Sequence, residues 1–177
     1  GFAELVIVAV LTLALILGLQ WLTRRQSPRQ QLAFNGLGSL LVALVLVMLA
    51  SAFQRLRLYE QAYGFTETRL YVYVFMAWLA VALAWFLVTL WRLPKRFAIG
   101  ALAASLGFLI TLNLINPDAF IAQQNLARYQ ASGKLDAAYL TTLSEDAAPV
   151  LIAAVGQVTG EEQRVLQKHL REWGVMV

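Results

Sequence analysis

The chain has 177 residues, of which 60% are hydrophobic and 14% are charged, and its mean hydropathy is +0.66. Water-soluble domains carry about a quarter charged residues, so this composition excludes an ordinary soluble domain. The net charge of +4 does not indicate nucleic-acid binding, because the basic residues flank hydrophobic runs instead of covering one face.

Four hydrophobic runs predict membrane-spanning helices. At 1.5 Å per residue each can cross a hydrocarbon core of about 30 Å, although the second is marginal in length. They predict an all-α fold, in which residues 1–116 form a polytopic transmembrane bundle of about four spans. The predicted spans cover residues 2–22, 36–53, 70–91 and 97–115.

A polar and aromatic hinge, residues 53–69, separates the second and third spans. Leu56, Tyr59 and Tyr63 recur in it at helical spacing, and Gly64 is suited to end a helix with a positive φ. We therefore expect a short interfacial helix at or just beyond the membrane surface, with these apolar and aromatic side chains directed inward.

The charged residues of the hinge are candidates for a binding site or for an interface. Arg57 and Glu60 are three residues apart, and Arg69 is placed to fold back onto Glu60. One interpretation is a site for an anionic ligand or lipid headgroup at Arg55, Arg57, Glu60 and Arg69. The pattern favours the other interpretation, a structural elbow whose charges anchor two spans at the interface.

The fourth span carries small residues at a spacing that allows a neighbouring helix to approach closely. Gly100 and Ala104 are four residues apart, as are Ala103 and Gly107. Asn113, near the end of this span, fits a hydrogen bond to a neighbouring helix better than a substrate path, since no span has a charged residue at its centre.

Residues 117–177 predict a tail of short helices outside the membrane. Asn116, Pro117 and Asp118 form a typical helix start, and Ser132-Gly133 a typical helix end. A second helix is expected over residues 135–143.

Two further helices are expected after residue 143. Ser144 is the expected cap of the first, and a capping box over residues 159–162 should begin the last. In that last helix Leu166, Leu170 and Trp173 fall on one stripe, which predicts its buried face.

The order of three polar stretches resembles a known family. The chain is similar, over residues 52–153, to the C-terminal half of a bacterial family of polytopic membrane proteins classed as a domain of unknown function. The resemblance implies an integral membrane protein with further spans before Gly1, and it implies no particular activity. The three stretches are RLRLYEQAYGFTETRLY, NPDAFIAQQNLARY and LDAAYLTTLSEDAAPVL.

Basic residues predict the topology of the chain. The loops after the first and third spans each carry three basic residues and no acidic one, which places both loops in the cytoplasm. We therefore expect a multi-pass protein of the bacterial inner membrane with an extracytoplasmic C-terminal tail. The loop residues are Arg24, Arg25, Arg29, Arg92, Lys95 and Arg96.

No residue pattern predicts catalysis, a cofactor or a metal. The chain has no cysteine, and a single histidine, His169, does not make a metal site. Glu145 and Asp146 are adjacent, so on a helix they point about 100° apart and pair poorly as acid and base. An enzyme is therefore the less favoured interpretation.

Three functional hypotheses remain open. The leading one is a non-enzymatic scaffold, assembly factor or accessory subunit that binds another protein, or upstream spans of its own chain, through its spans and tail. The alternatives are a transporter or lipid-handling protein that binds an anionic headgroup at the arginine-rich hinge, and a sensor that lacks its output domain. The lipid bilayer is an expected partner under all three, and nucleic acid under none.

Overall fold

The computed structural model describes residues 2–22, 28–92 and 96–175. Within these ranges it contains eight α-helices and one 3-10 helix, Glu145–Ala147, and no β-strand, which confirms the all-α class. The helices are α1 (Phe2–Leu22), α2 (Pro28–Tyr63), α3 (Glu67–Trp91), α4 (Phe97–Leu114), α5 (Pro117–Ser132), α6 (Ala137–Leu140), α7 (Ala148–Val155) and α8 (Glu161–Glu172).

Helices α2, α3 and α4 are long and apolar enough to cross a bilayer. Many of their large apolar side chains, such as Leu44, Val47 and Leu102, are exposed, as on a surface that faces lipid. The first predicted span also forms a helix, but its apolar stretch, Ala3–Leu19, is shorter. Three candidate spans therefore identify a membrane protein, and a fourth crossing by α1 stays a prediction.

Helix α2 is twice as long as the span predicted within it. It runs unbroken for 36 residues, about 54 Å, which exceeds the hydrocarbon core of about 30 Å. The residues expected to form a separate surface helix instead continue α2 as far as Tyr63. The sequence has neither glycine nor proline between residues 53 and 63, so no residue there favours a break in the helix.

The chain forms two compact units. The first comprises Gly1–Leu56 and Val74–Leu109, and the second comprises Arg57–Tyr73 and Ile110–Val177. Residues 57–69 of the hinge therefore belong to the same unit as residues 110–177. The predicted boundary at residue 116 between a membrane domain and a tail stays a prediction. The first unit has a core made by α1, α2 and α3, whose buried residues are Ala9, Ile16, Val42, Val45, Leu83, Phe86 and Leu90.

The second unit has its own helical core. Helix α5 packs against α7 and the 3-10 helix, and α8 packs against α6 and α7. The stripe predicted on α8 is confirmed, since Leu166 and Leu170 are fully buried and Trp173 is partly buried. The other large buried residues of this core include Ile121, Leu126, Leu140, Leu151 and Val158.

Helix α5 begins and ends as predicted. The Asn116 side chain accepts a hydrogen bond from the Ala119 N–H at 3.2 Å. Gly133 ends the helix with φ 69°, and its N–H donates to the Tyr129 carbonyl at 2.7 Å. Both ends therefore follow from local residue chemistry.

The later helix starts differ from the prediction. Helix α6 is only four residues long, and Asp136 caps it by accepting from the Tyr139 N–H at 2.9 Å. The capping box is not formed, because Gly160, with φ 77°, is the N-cap residue of α8 and no described side chain caps that helix. Ser144 likewise makes no side-chain cap, and its N–H donates to Asp118 Oδ2 at 3.0 Å.

Candidate functional site

Asn125 holds the hinge against the tail. It lies on the buried stripe of α5, where Oδ1 accepts from the Phe65 N–H at 2.9 Å. Its Nδ2 donates to the Phe65 carbonyl at 2.7 Å and to the Ile121 carbonyl at 3.0 Å. One side-chain amide thus satisfies both backbone groups of a buried residue that lies outside any helix.

Gly64 makes this contact possible. It ends α2 with φ 85°, which confirms the predicted helix stop. A Cβ at this position would lie 2.7 Å from Asn125 Oδ1, closer than carbon and oxygen normally approach. Glycine is therefore required both for the backbone conformation and for the approach of the amide.

Arg128 caps the C-terminal end of α2. Its Nε donates to the Gln61 carbonyl at 3.1 Å, and Nη2 donates to the Ala62 carbonyl at 2.8 Å. The last carbonyls of a helix have no partner within that helix, and they carry a partial negative charge. A guanidinium group from α5 therefore supplies both the missing donors and a compensating charge.

Aromatic packing fixes the same turn from inside. The Phe65 ring is 6% exposed and stacks on Tyr73, with ring centroids 5.8 Å apart and planes 8° apart. It also meets Phe120 edge to face, at 5.7 Å and 75°. These rings bury the hinge turn in the second unit, so Phe65 is anchored through its side chain as well as its backbone.

Three of the four charged candidates converge on Tyr73. Glu60 accepts from the Tyr73 hydroxyl at 2.7 Å, and the charges of Arg57 and Arg69 both act on that hydroxyl. Arg69 donates to the Gly64 carbonyl instead of folding back onto Glu60. Arg57 is exposed in the second unit, and Arg55 is exposed in the first.

In the first unit, two glycines of α4 accommodate two tryptophans of α3. A Cβ on Gly100 would overlap the ring of Trp85, and a Cβ on Gly107 would overlap the ring of Trp78. Both pairs are spaced by seven residues, or about two helical turns, so antiparallel helices repeat the same contact. The sequence located both glycines but paired each with an alanine four residues away.

The other residues proposed for helix packing occupy different surroundings. Ala104 is buried, with 7% exposure, whereas Ala103 is exposed. Asn113 is exposed in the last turn of α4. Its proposed hydrogen bond to a neighbouring helix stays a prediction.

Sequence reasoning assigned no role to a second buried asparagine, Asn35. Its Nδ2 donates to the Leu90 carbonyl at 3.1 Å, and its Oδ1 accepts from Gln31 Nε2 at 3.1 Å. Nearby, Trp91 Nε1 donates to Ser39 Oγ at 2.8 Å. These bonds tie the end of α3 to α2 through polar groups.

His169 and the acidic side chains are the remaining candidates for a site. In residues 2–22, 28–92 and 96–175, no three His, Asp or Glu side chains come close enough to hold a metal ion. His169 packs against Trp173, with ring centroids 4.3 Å apart, and its Nδ1 lies 3.9 Å from Glu172 Oε2.

The fold and this site define an all-helical membrane protein in which residues 57–73 and the tail belong to one compact unit. The chain belongs to the family described as a domain of unknown function (DUF4153), whose model matches residues 1–154. This match confirms the family resemblance and extends it over α1 and residues 28–51 of α2. No curated protein and no solved structure matches the chain significantly.

Proposed function

We propose that the chain is a non-enzymatic scaffold or accessory subunit that binds another membrane protein through its spans and its helical tail. The observation that supports this function is that polar side chains of the hinge and of α5 form hydrogen bonds within the chain. Asn125, Arg128, Arg69 and Glu60 all bond to groups of the second unit itself. Side chains engaged in this way hold a surface in one conformation, which favours recognition because less freedom is lost on binding.

Affinity purification of the tagged chain at its native expression level, with its surrounding lipid retained in a polymer nanoparticle, tests this proposal. A scaffold or accessory subunit should elute with one partner at fixed stoichiometry through two successive columns. Light scattering should give a protein mass larger than the 19.7 kDa of one chain. A particle that always contains a single chain and lipid alone would contradict the proposal.

We further propose a place in the inner membrane with the tail outside the cytoplasm. The support is the excess of basic residues in the first and third loops, of which Arg24, Arg25 and Lys95 lie outside the described residues. Because the chain has no cysteine, a single introduced thiol reports on its own position. Lys134→Cys should react with a membrane-impermeant maleimide in intact cells, whereas Arg29→Cys should react only after lysis. The reverse labelling pattern would show that the chain has the opposite topology.

A second candidate function is binding of an anionic lipid headgroup at Arg57. This side chain is exposed and, among the described residues, forms no ion pair with a carboxylate. Arg57 lies four residues beyond Phe53, the last residue of the apolar run, which is about 6 Å along the helix. Headgroups occupy roughly that layer outside the hydrocarbon core, so a lipid phosphate is an available partner.

Paired substitutions separate this role from a structural one. Arg57→Gln should remove any preference for phosphatidylglycerol over phosphatidylcholine in native mass spectrometry, with no change in unfolding temperature. Arg69→Gln should lower the unfolding temperature, because Arg69 bonds to the hinge backbone. If Arg57→Gln leaves the lipid preference unchanged, headgroup binding at this position is excluded and the structural elbow remains.

A further inference from the structure

An apolar groove runs between α3 and α4 in the first unit, with a volume of about 390 Å³. Its α4 wall is one helical stripe, and residues of α3 form the facing wall. Leu13 of α1 also lines the groove. The α4 wall consists of Phe97, Ala101, Ala104, Ser105, Phe108 and Leu109.

Small side chains create the groove, and aromatic contacts fix its walls. Ala82 on α3 and Ala101 and Ala104 on α4 all line the groove, where larger side chains would fill the space. Trp78 is held against Gly107, and Phe75 meets Phe108 edge to face at 6.1 Å and 87°. The groove is therefore a built feature of the two helices.

Apolar atoms make up most of the groove walls. Ser105 carries the one side-chain hydroxyl among the lining residues, and its Oγ already donates to the Ala101 carbonyl at 2.9 Å. Both walls belong to helices long and apolar enough to span a bilayer. The medium that meets the groove is therefore hydrocarbon, and an apolar occupant loses no hydrogen bonds on entering.

The dimensions of the groove discriminate between apolar occupants. From Phe97 to Leu109 the α4 wall extends about 18 Å, close to the roughly 15 Å depth of one leaflet's hydrocarbon. Spread over that length, 390 Å³ leaves a cross-section of roughly 22 Å². A helix about 10 Å across does not enter this section and would contact the groove only through one row of its side chains. An extended alkyl chain fits, with roughly a dozen methylenes if each takes about the 30 Å³ of a water molecule.

We propose that this groove is a binding site for one acyl chain of a membrane phospholipid. The site needs no partner protein, so it stands apart from the scaffold function. A lipid held there fills the space between α3 and α4. It exchanges more slowly than the lipids around the protein.

Filling the groove tests the proposal. Ala101→Leu places a larger side chain in the α4 wall, and Ala103→Leu adds the same atoms at an exposed position of the same helix. After detergent exchange, native mass spectrometry should find one retained phospholipid on the wild-type chain and on Ala103→Leu. Its occupancy should fall at least about tenfold in Ala101→Leu. Equal occupancy in the three proteins, or none in the wild type, would overturn the site.

Fluorescence quenching of Trp78 in the wild-type groove tests the proposal even if Ala101→Leu does not fold. Trp78 lines the groove, so phospholipids brominated on the acyl chain should quench its fluorescence, isolated as the difference between wild type and Trp78→Phe. Quenching should saturate at a low mole fraction of brominated lipid. Quenching proportional to mole fraction would indicate ordinary surrounding lipid, and absent quenching would indicate a protein segment over the groove. Either result would overturn the proposal, whether or not a partner protein copurifies.

Discussion

The side-chain amide of Asn125 pairs with both backbone groups of Phe65, accepting at 2.9 Å and donating at 2.7 Å. The two residues are sixty positions apart in the chain. Phe65 lies in the turn that joins α2 to α3, so the conformation of this turn depends on a tail residue. A change in the tail is therefore expected to appear first in the hinge.

Asn125→Ala should destabilise the second unit. The substitution leaves the N–H and carbonyl of Phe65 buried without partners, at a cost of roughly 2 to 4 kcal/mol for the pair. The local readout is amide hydrogen exchange at residues 64–66, which should become much faster. Gln123→Ala, at an exposed position of the same helix, should change neither the exchange rates nor the unfolding temperature. Unchanged protection of the hinge in Asn125→Ala would show that water replaces the amide.

Two glycine substitutions separate backbone strain from contact. Gly64 and Gly133 both have positive φ, 85° and 69°, but only a Cβ at Gly64 would meet a neighbour within 4 Å. Gly133→Ala should cost about 1 to 2 kcal/mol from the backbone alone. Gly64→Ala should cost at least about 1 kcal/mol more, because the methyl group displaces Asn125. Equal losses in thermal unfolding would mean that the amide moves aside freely.

Local signals in the sequence were enough to predict most of the helices and several of their ends. Long apolar runs predicted the spans, and Gly64, Asn116 and Gly133 marked helix boundaries because their backbone or capping chemistry acts within a few residues. The predicted capping box of α8 is wrong because of a local feature as well. Gly160 at the N-cap position has no side chain to accept from the helix, so the neighbouring residues do not complete the motif.

The partners across the chain were beyond local reasoning. Asn125 falls on the apolar stripe of α5, and a buried amide there indicates that a partner exists, but spacing does not identify Phe65. Nothing in the sequence around Arg128 indicates that its side chain reaches the carbonyls of Gln61 and Ala62. Four charged hinge residues were proposed as one site, yet Arg69 donates to the Gly64 carbonyl and Glu60 accepts from the Tyr73 hydroxyl.

Arg128→Gln should loosen the last turn of α2. It removes the two donors that reach the Gln61 and Ala62 carbonyls, and it removes the favourable charge at the helix end. The bonds are partly exposed, so the expected loss is about 1 kcal/mol. Arg128→Lys should recover only part of this loss, since an ammonium group lacks the planar fork that reaches two carbonyls at once.

Arg164→Gln is the matched control for this pair, because Arg164 is exposed on α8. Hydrogen exchange at residues 60–63 distinguishes the variants. Faster exchange in Arg164→Gln, or the same rates in Arg128→Gln and wild type, would exclude the capping role.

The contact between α3 and α4 can be tested by compensation. Gly107→Ala forces a methyl group into the ring of Trp78, and overpacking of this kind costs about 1 to 3 kcal/mol. Trp78→Leu alone also destabilises, because it removes the ring that fills the interface. Combined, the two changes should cost at least about 1 kcal/mol less than the sum of their separate effects, since the methyl group then occupies the vacated space.

Gly36→Ala provides the baseline for that cycle, because no atom lies within 4 Å of a Cβ at this helical position and alanine favours the helix. Thermal unfolding in one detergent compares the four variants with wild type. If the effects of Gly107→Ala and Trp78→Leu simply add, the ring does not rest on the glycine. If they compensate, the seven-residue repeat of glycine against tryptophan sets how closely α3 and α4 approach, and it thereby sets the width of the groove between them.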